Sequence, residues 1–76
     1  PMAKITLADG VIVVARIVDL SLSGAAMASN AKPEIGSSVT VGIVPARIVR
    51  HTEDGFAVEF TRPQHPDTLE DSVTGE

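Results

Sequence analysis

Apolar residues recur at every second position through most of this chain, and turn-forming residues interrupt them at intervals of roughly 8–12 residues. That rhythm admits strands and excludes long amphipathic helices, whose apolar residues must recur three and four apart. "KITLA" (4–8) puts Ile5 and Leu7 on one face and Lys4 and Thr6 on the other. Asp9-Gly10 follows, a strong hairpin signal because this pair accepts the two positive φ values of a type I′ turn. "VIVVARIV" (11–18) is β-branched and apolar on both faces, the pattern of a strand covered on two sides. "GAAMAS" (24–29) reads as a short strand of small residues, and 30–38, with Pro33, as a loop. "VTV" (39–41) and "PARIVRH" (45–51) read as strands joined through Gly42. Pro45 suits a strand start or edge because it has no N–H for the ladder. After the turn "TEDG" (52–55), "FAVEF" (56–60) sends Phe56, Val58 and Phe60 inward.

About six short strands at this spacing predict an all-β fold, a small barrel or sandwich, and closure into a barrel would remove exposed edges. The whole chain, 1–76, is one domain, with the barrel over about 4–61 and a C-terminal tail over 62–76. In the tail "RPQHP" is a turn-rich linker. "DTLEDSV" offers Asp67 as N-cap with Glu70 three residues on, enough for a single helical turn. A chain of 76 residues buries only ~60–65% of its unfolded surface. With Phe56 and Phe60 as its only aromatics, its core must come from Val, Ile, Leu, Ala and Met. The opening "PM" fits a piece of a longer protein or an added first residue.

Several function classes drop out. There is no cysteine, hence no disulfide framework or thiolate metal site. The longest apolar run, 11–15, is five residues, far from the ~18 that span a membrane. No secretory signal pattern is visible. A net charge of −4 and a pI of about 4.9 argue against DNA or RNA as partner. The body up to Thr61 is nearly neutral, however, with five bases against six acids, so a local site for an anionic ligand fits. His51 and His65 lack metal-ligand spacing and read as solvated. Ser21, Ser23, Ser37 and Ser38 lack a nucleophile-elbow context, and no phosphate-cradling glycine motif is present. The chain is expected to be non-catalytic and to need no cofactor. Arg47 and Arg50 are three apart, on opposite faces of a regular strand, and make no single clamp without a bulge.

One phrase stands out, "IVDLSLSGAAM" (17–27). Asp19 and Ser21 are two apart, so in an extended segment both point the same way. An Asp carboxylate is acceptor-only and can take two donors from one planar edge, such as N1–H and N2–H₂ of guanine. Ser21 adds a small donor–acceptor. Gly24 gives either a turn with positive φ or room for a flat ligand against the backbone. The same residues also suit an Asx/Ser turn that bonds its own backbone, and residue chemistry leaves both readings open.

In this order of elements, "DLSLSGAAM" resembles the Asp/Asn-x-Ser-x-x-Gly signature of the PilZ domain family, matched at Asp19, Ser21 and Gly24. The apolar strand before it, the Pro/Gly loop "AKPEIG", a Val-rich hairpin and the closing "GFAVEF" extend the similarity over residues 4–60. The resemblance implies a small six-stranded antiparallel β-barrel, a bacterial, cytoplasmic signalling module that binds cyclic di-GMP without catalysis and acts on a partner protein or adjacent domain. It implies that Asp19, Ser21 and Gly24 contact a guanine edge and the nearby phosphodiester. It also implies an Arg-x-x-x-Arg pair just before the first strand, wrapping over the ligand. Here the chain departs: its arginines are at 16, 47, 50 and 62, no two of them four apart. Each missing bidentate charged contact removes about 1.5–3 kcal/mol, so binding is expected to be weak. The alternative is a degenerate PilZ-like module that contacts protein and not nucleotide.

Overall fold

The computed structural model describes residues 1–75. Six strands, β1 (Met2–Thr6), β2 (Ile12–Leu20), β3 (Gly24–Ala28), β4 (Ser38–Val41), β5 (Val44–His51) and β6 (Gly55–Phe60), precede one helix, α1 (Leu69–Thr74). The strands form a closed antiparallel barrel in the order β1-β2-β3-β6-β5-β4. The all-β expectation holds, and the strand bounds differ from the sequence reading by one or two residues at most ends.

Alternation sorts the residues. Ala3 and Ile5 of β1, Ala15 and Ile17 of β2, Ala25 and Met27 of β3, and Val44, Ala46 and Ile48 of β5 are buried. Phe56, Val58 and Phe60 of β6 point inward with them, as their spacing predicts. A barrel this small is filled by its own side chains, so Phe56, Met27, Ile48 and Ile5 occupy its interior with less than 2% exposure.

Two local expectations need correction. The first hairpin is not type I′. Within this loop only Gly10 has positive φ (88°), and no non-glycine among the described residues does. Leu7 N–H donates to Val11 O (2.8 Å) and Gly10 N–H to Leu7 O (2.9 Å), so the loop is the three-residue kind with glycine in its left-handed position. β2 is not covered on two sides: Ile12, Val14 and Val18 are each more than half exposed. A closed barrel has one interior, and β-branched residues suit the outer pleat without being buried. His51 is exposed, as its sequence context suggested, and it also places Nε2 2.6 Å from Pro33 O, tying the β3–β4 loop to the end of β5.

The tail is more than a linker. Thr68, not Asp67, is the N-cap of α1 and makes no side-chain cap bond. Asp67 sits one residue early, in a turn where its N–H donates to His65 Nδ1 (3.1 Å). Val73 of α1 is fully buried in the core and Leu69 packs against it. The helix end meets the β4–β5 hairpin at Gly42, where Ile43 N–H donates to Ser72 O (3.0 Å). Gly42 has φ of 61°, the first position of a two-residue type II′ turn. A Cβ there would also overlap the Ser72 and Val73 carbonyls. α1 thereby seals the seam where β1 and β4 share only two residue pairs, Ile5↔Val41 and Thr6↔Thr40.

Both halves of that seal are testable by urea unfolding. Val73→Ala should cost about 2 kcal/mol from lost methyl burial and the cavity left behind. Gly42→Ala should cost at least ~1 kcal/mol, since alanine there is strained in backbone and space alike. A domain of this size has only ~4–11 kcal/mol in total. Wild-type midpoints for both variants would show that α1 does not hold the barrel shut.

Candidate functional site

Strand parity decides which side chains reach the outer wall. In β2 the inward residues are Val13, Ala15 and Ile17, so an unbroken strand would turn Asp19 into the core. The pairing with β3 shifts between Ile17↔Met27 and Asp19↔Ala26, leaving Val18 as an extra residue. That bulge sends Asp19 outward and Leu20 back toward the core. β5 repeats the device. Val44, Ala46 and Ile48 face in, and the pairing with β6 shifts between Ile48↔Val58 and Arg50↔Ala57, with Val49 extra. Arg50 is thereby turned out, on the same wall as Arg47. The expectation that Arg47 and Arg50 lie on opposite faces is overturned by this one inserted residue.

The two bulges flank the β3–β6 pair and aim at one place. Residue pairings run continuously across four strands, Asp19↔Ala26↔Ala57↔Arg50. Three inter-strand steps separate the acid and the base by roughly 14 Å at Cα. The floor between them is two alanines. An adjacent row runs Gly24↔Glu59↔Arg47. Asp19, Ser21, Gly24, Arg50, Ala57 and Glu59 line one shallow groove of about 250 Å³. The structure thus brings together the three residues singled out from sequence, and adds Arg50, which sequence reasoning weighed with Arg47 and set aside on spacing, and Glu59, which it missed. The signal for Arg50 was the even-numbered inward series of β5, which would have buried a guanidinium unless the strand bulged.

The loop itself is a tight turn as well as a groove wall. Ser21 N–H donates to Gly24 O (2.9 Å), and the Ser21 hydroxyl also reaches Gly24 O (3.3 Å) and the Ser23 hydroxyl (3.3 Å). Phe60 N–H donates to Ser23 O (2.8 Å) and Gln64 N–H to Leu22 O (2.7 Å), fixing the loop against the end of β6 and the following segment. Of the two readings for Gly24, the positive φ does not hold. Glycine is required for a different reason: a Cβ would overlap the Val58 carbonyl of β6. Glu59 lies 3.6 Å from Arg47, both side chains about 60% exposed. Among the described residues Asp19 and Arg50 form no ion pair, no group of three or more potential ligands stands ready for a metal, and no helix is long and apolar enough to cross a membrane.

Val49 has no cross-strand partner, so its removal leaves Ile48↔Val58 and Arg50↔Ala57 as neighbouring pairs, with Ile48 still inward and Arg50 still outward. Deletion of Val49 should therefore cost less in urea unfolding than Ile48→Ala, which empties a fully buried site at about 2–5 kcal/mol. A Val49 deletion that fails to fold, or that costs as much as Ile48→Ala, would refute this assignment of Val49 as the extra residue.

Compared with known proteins, the chain matches the family model described as PilZ domain over residues 2–75. No curated protein and no solved structure matches it significantly. PilZ domains are non-catalytic modules of a family that binds cyclic di-GMP and often acts through partner proteins. The match covers nearly the whole described chain and agrees with the closed six-stranded barrel: the chain belongs to the PilZ domain family.

Proposed function

We propose that this chain is a cyclic di-GMP sensor module that holds its ligand in the groove between the β2–β3 loop and β5. The carrying observation is that the Val18 bulge presents Asp19 outward in the groove that Ser21 and Gly24 also line. Asp19 accepts N1–H and N2–H₂ of one guanine, two charge-assisted bonds along a single edge. Ser21 exchanges its weak 3.3 Å contacts for a ligand oxygen. Gly24 keeps the wall beside Glu59 free of a side chain. A groove of about 250 Å³ lies below the ~300–1,000 Å³ of enclosing ligand pockets. It therefore takes one base and its neighbouring phosphate and leaves the rest of the dinucleotide outside. With no Arg-x-x-x-Arg pair in the sequence to cover that remainder, affinity is low. The module acts in the cytoplasm, where it changes contacts with a partner protein or adjacent domain. A second reading is a PilZ-like module that uses the barrel for protein contact and does not bind nucleotide.

Calorimetric titration with cyclic di-GMP separates the two. Binding in the micromolar range is expected, weakened by about 10- to 100-fold in Asp19→Ala. Cyclic di-AMP, whose base lacks the N1–H/N2–H₂ donor pair, should give no heat. A folded wild-type chain that binds neither compound would leave the protein-contact reading.

A further inference from the structure

The D-x-S-x-x-G residues supply acceptors and small groups but no positive charge, and a cyclic dinucleotide brings two negative phosphodiesters. We propose that Arg50 is the groove's own anion-binding group, taking a phosphate oxygen of a ligand whose guanine edge lies on Asp19, and that the Arg47–Glu59 pair keeps Arg50 available. This rests on the cyclic di-GMP reading of the groove. Arg50 and Asp19 stand at opposite ends of one cross-strand row with only Ala26 and Ala57 between them. An acceptor for a base edge and a cation for a phosphate therefore face each other over a floor that no long side chain crosses. The guanidinium is planar and forked, so it can take two oxygens of one phosphodiester.

Glu59 is the threat to this arrangement. It borders the groove, and Arg50 and Arg47 both lie on the neighbouring strand. Arg47 is its direct cross-strand partner and the arginine it pairs with, at 3.6 Å. Glu59 borders both this groove and a second one of about 310 Å³, and Arg47 lines the second. Arg47 draws the Glu59 carboxylate toward that second groove, where it neither occupies Arg50 nor opposes an incoming phosphate at full strength. Arg47 is thus a positioning residue, and Arg50 the contact.

The test is a titration of the 76-residue chain with cyclic di-GMP, followed by amide chemical shifts so that weak binding is measurable. Arg50→Ala should weaken binding about 10- to 100-fold and flatten its dependence on salt, because the screened attraction has gone. Arg50→Lys should recover part of the affinity. Arg47→Ala should weaken binding by about two- to fivefold, the scale of an exposed ion pair. Glu59→Gln should tighten it, and Glu59→Gln added to Arg47→Ala should restore at least wild-type affinity, a coupling that loss of fold cannot imitate. Wild-type binding unchanged by Arg50→Ala overturns the role of Arg50 while leaving the receptor reading intact. A Glu59→Gln that weakens binding overturns the role given to Arg47. No binding by the wild-type chain removes the receptor reading and this inference with it.

Discussion

In a closed barrel each strand residue faces either the packed interior or the outer wall, and one inserted residue reverses the assignment of all that follow. This two-fold alternation is the constraint on which the rest of the molecule depends. It fills the interior from Ile5, Ile17, Met27, Ile48, Phe56 and their neighbours, and it decides where charge can be carried. Asp19 and Arg50 both fall on the wrong side of it. Burying either without a partner would cost several kcal/mol. Instead β2 and β5 each spend one residue, Val18 and Val49, and both charges emerge on the same wall.

Closure imposes its own demands, met by small residues and backbone. β3 and β6 approach so closely at Gly24 that a side chain there would strike Val58 O. The shortest ladder, between β1 and β4, is completed from outside the sheet by α1, whose Val73 enters the core and whose carbonyls rest on Gly42. The rigidity of the site follows from this packing. The Ser21–Gly24 turn is bonded to itself and to the residues that follow β6, so Asp19 and Ser21 project from a fixed wall.

Much of this was legible in the sequence because alternation is a local pattern. "FAVEF" could be oriented residue by residue, and Gly and Pro marked nearly every reversal. The two bulges were not legible, for a physical reason. An extra valine in "RIVDL" or "RIVRH" looks like one more β-branched residue, and only cross-strand pairing shows that it has no partner. The Val49 bulge hid Arg50, since three residues of separation from Arg47 means opposite faces only in an unbroken strand. The reading of β2 as covered on both sides failed for another reason: Ile12 and Val14 lie before its bulge, as β-branched residues of the outer wall. Gly24 was picked out correctly by its motif, but its packing against β6 depends on a strand more than thirty residues away. The resemblance identified the turn that matters, and parity explains how the wall around it was assembled.

The outer row of β2 has a consequence for how copies of this barrel behave in solution. Ile12 and Val14 lie on the wall beside Met2 and Lys4 of β1, apolar and open to water. A flat sheet with such a face would also offer free strand edges, and the two together template fibrils. Here the ladder closes on itself, so no strand offers a wholly free edge to recruit another chain. Crowded copies can therefore meet only wall to wall, a contact that excluded salts such as sulfate strengthen and dilution undoes. Ring closure turns what would be a nucleus for irreversible polymerisation into a weak, saturable stickiness.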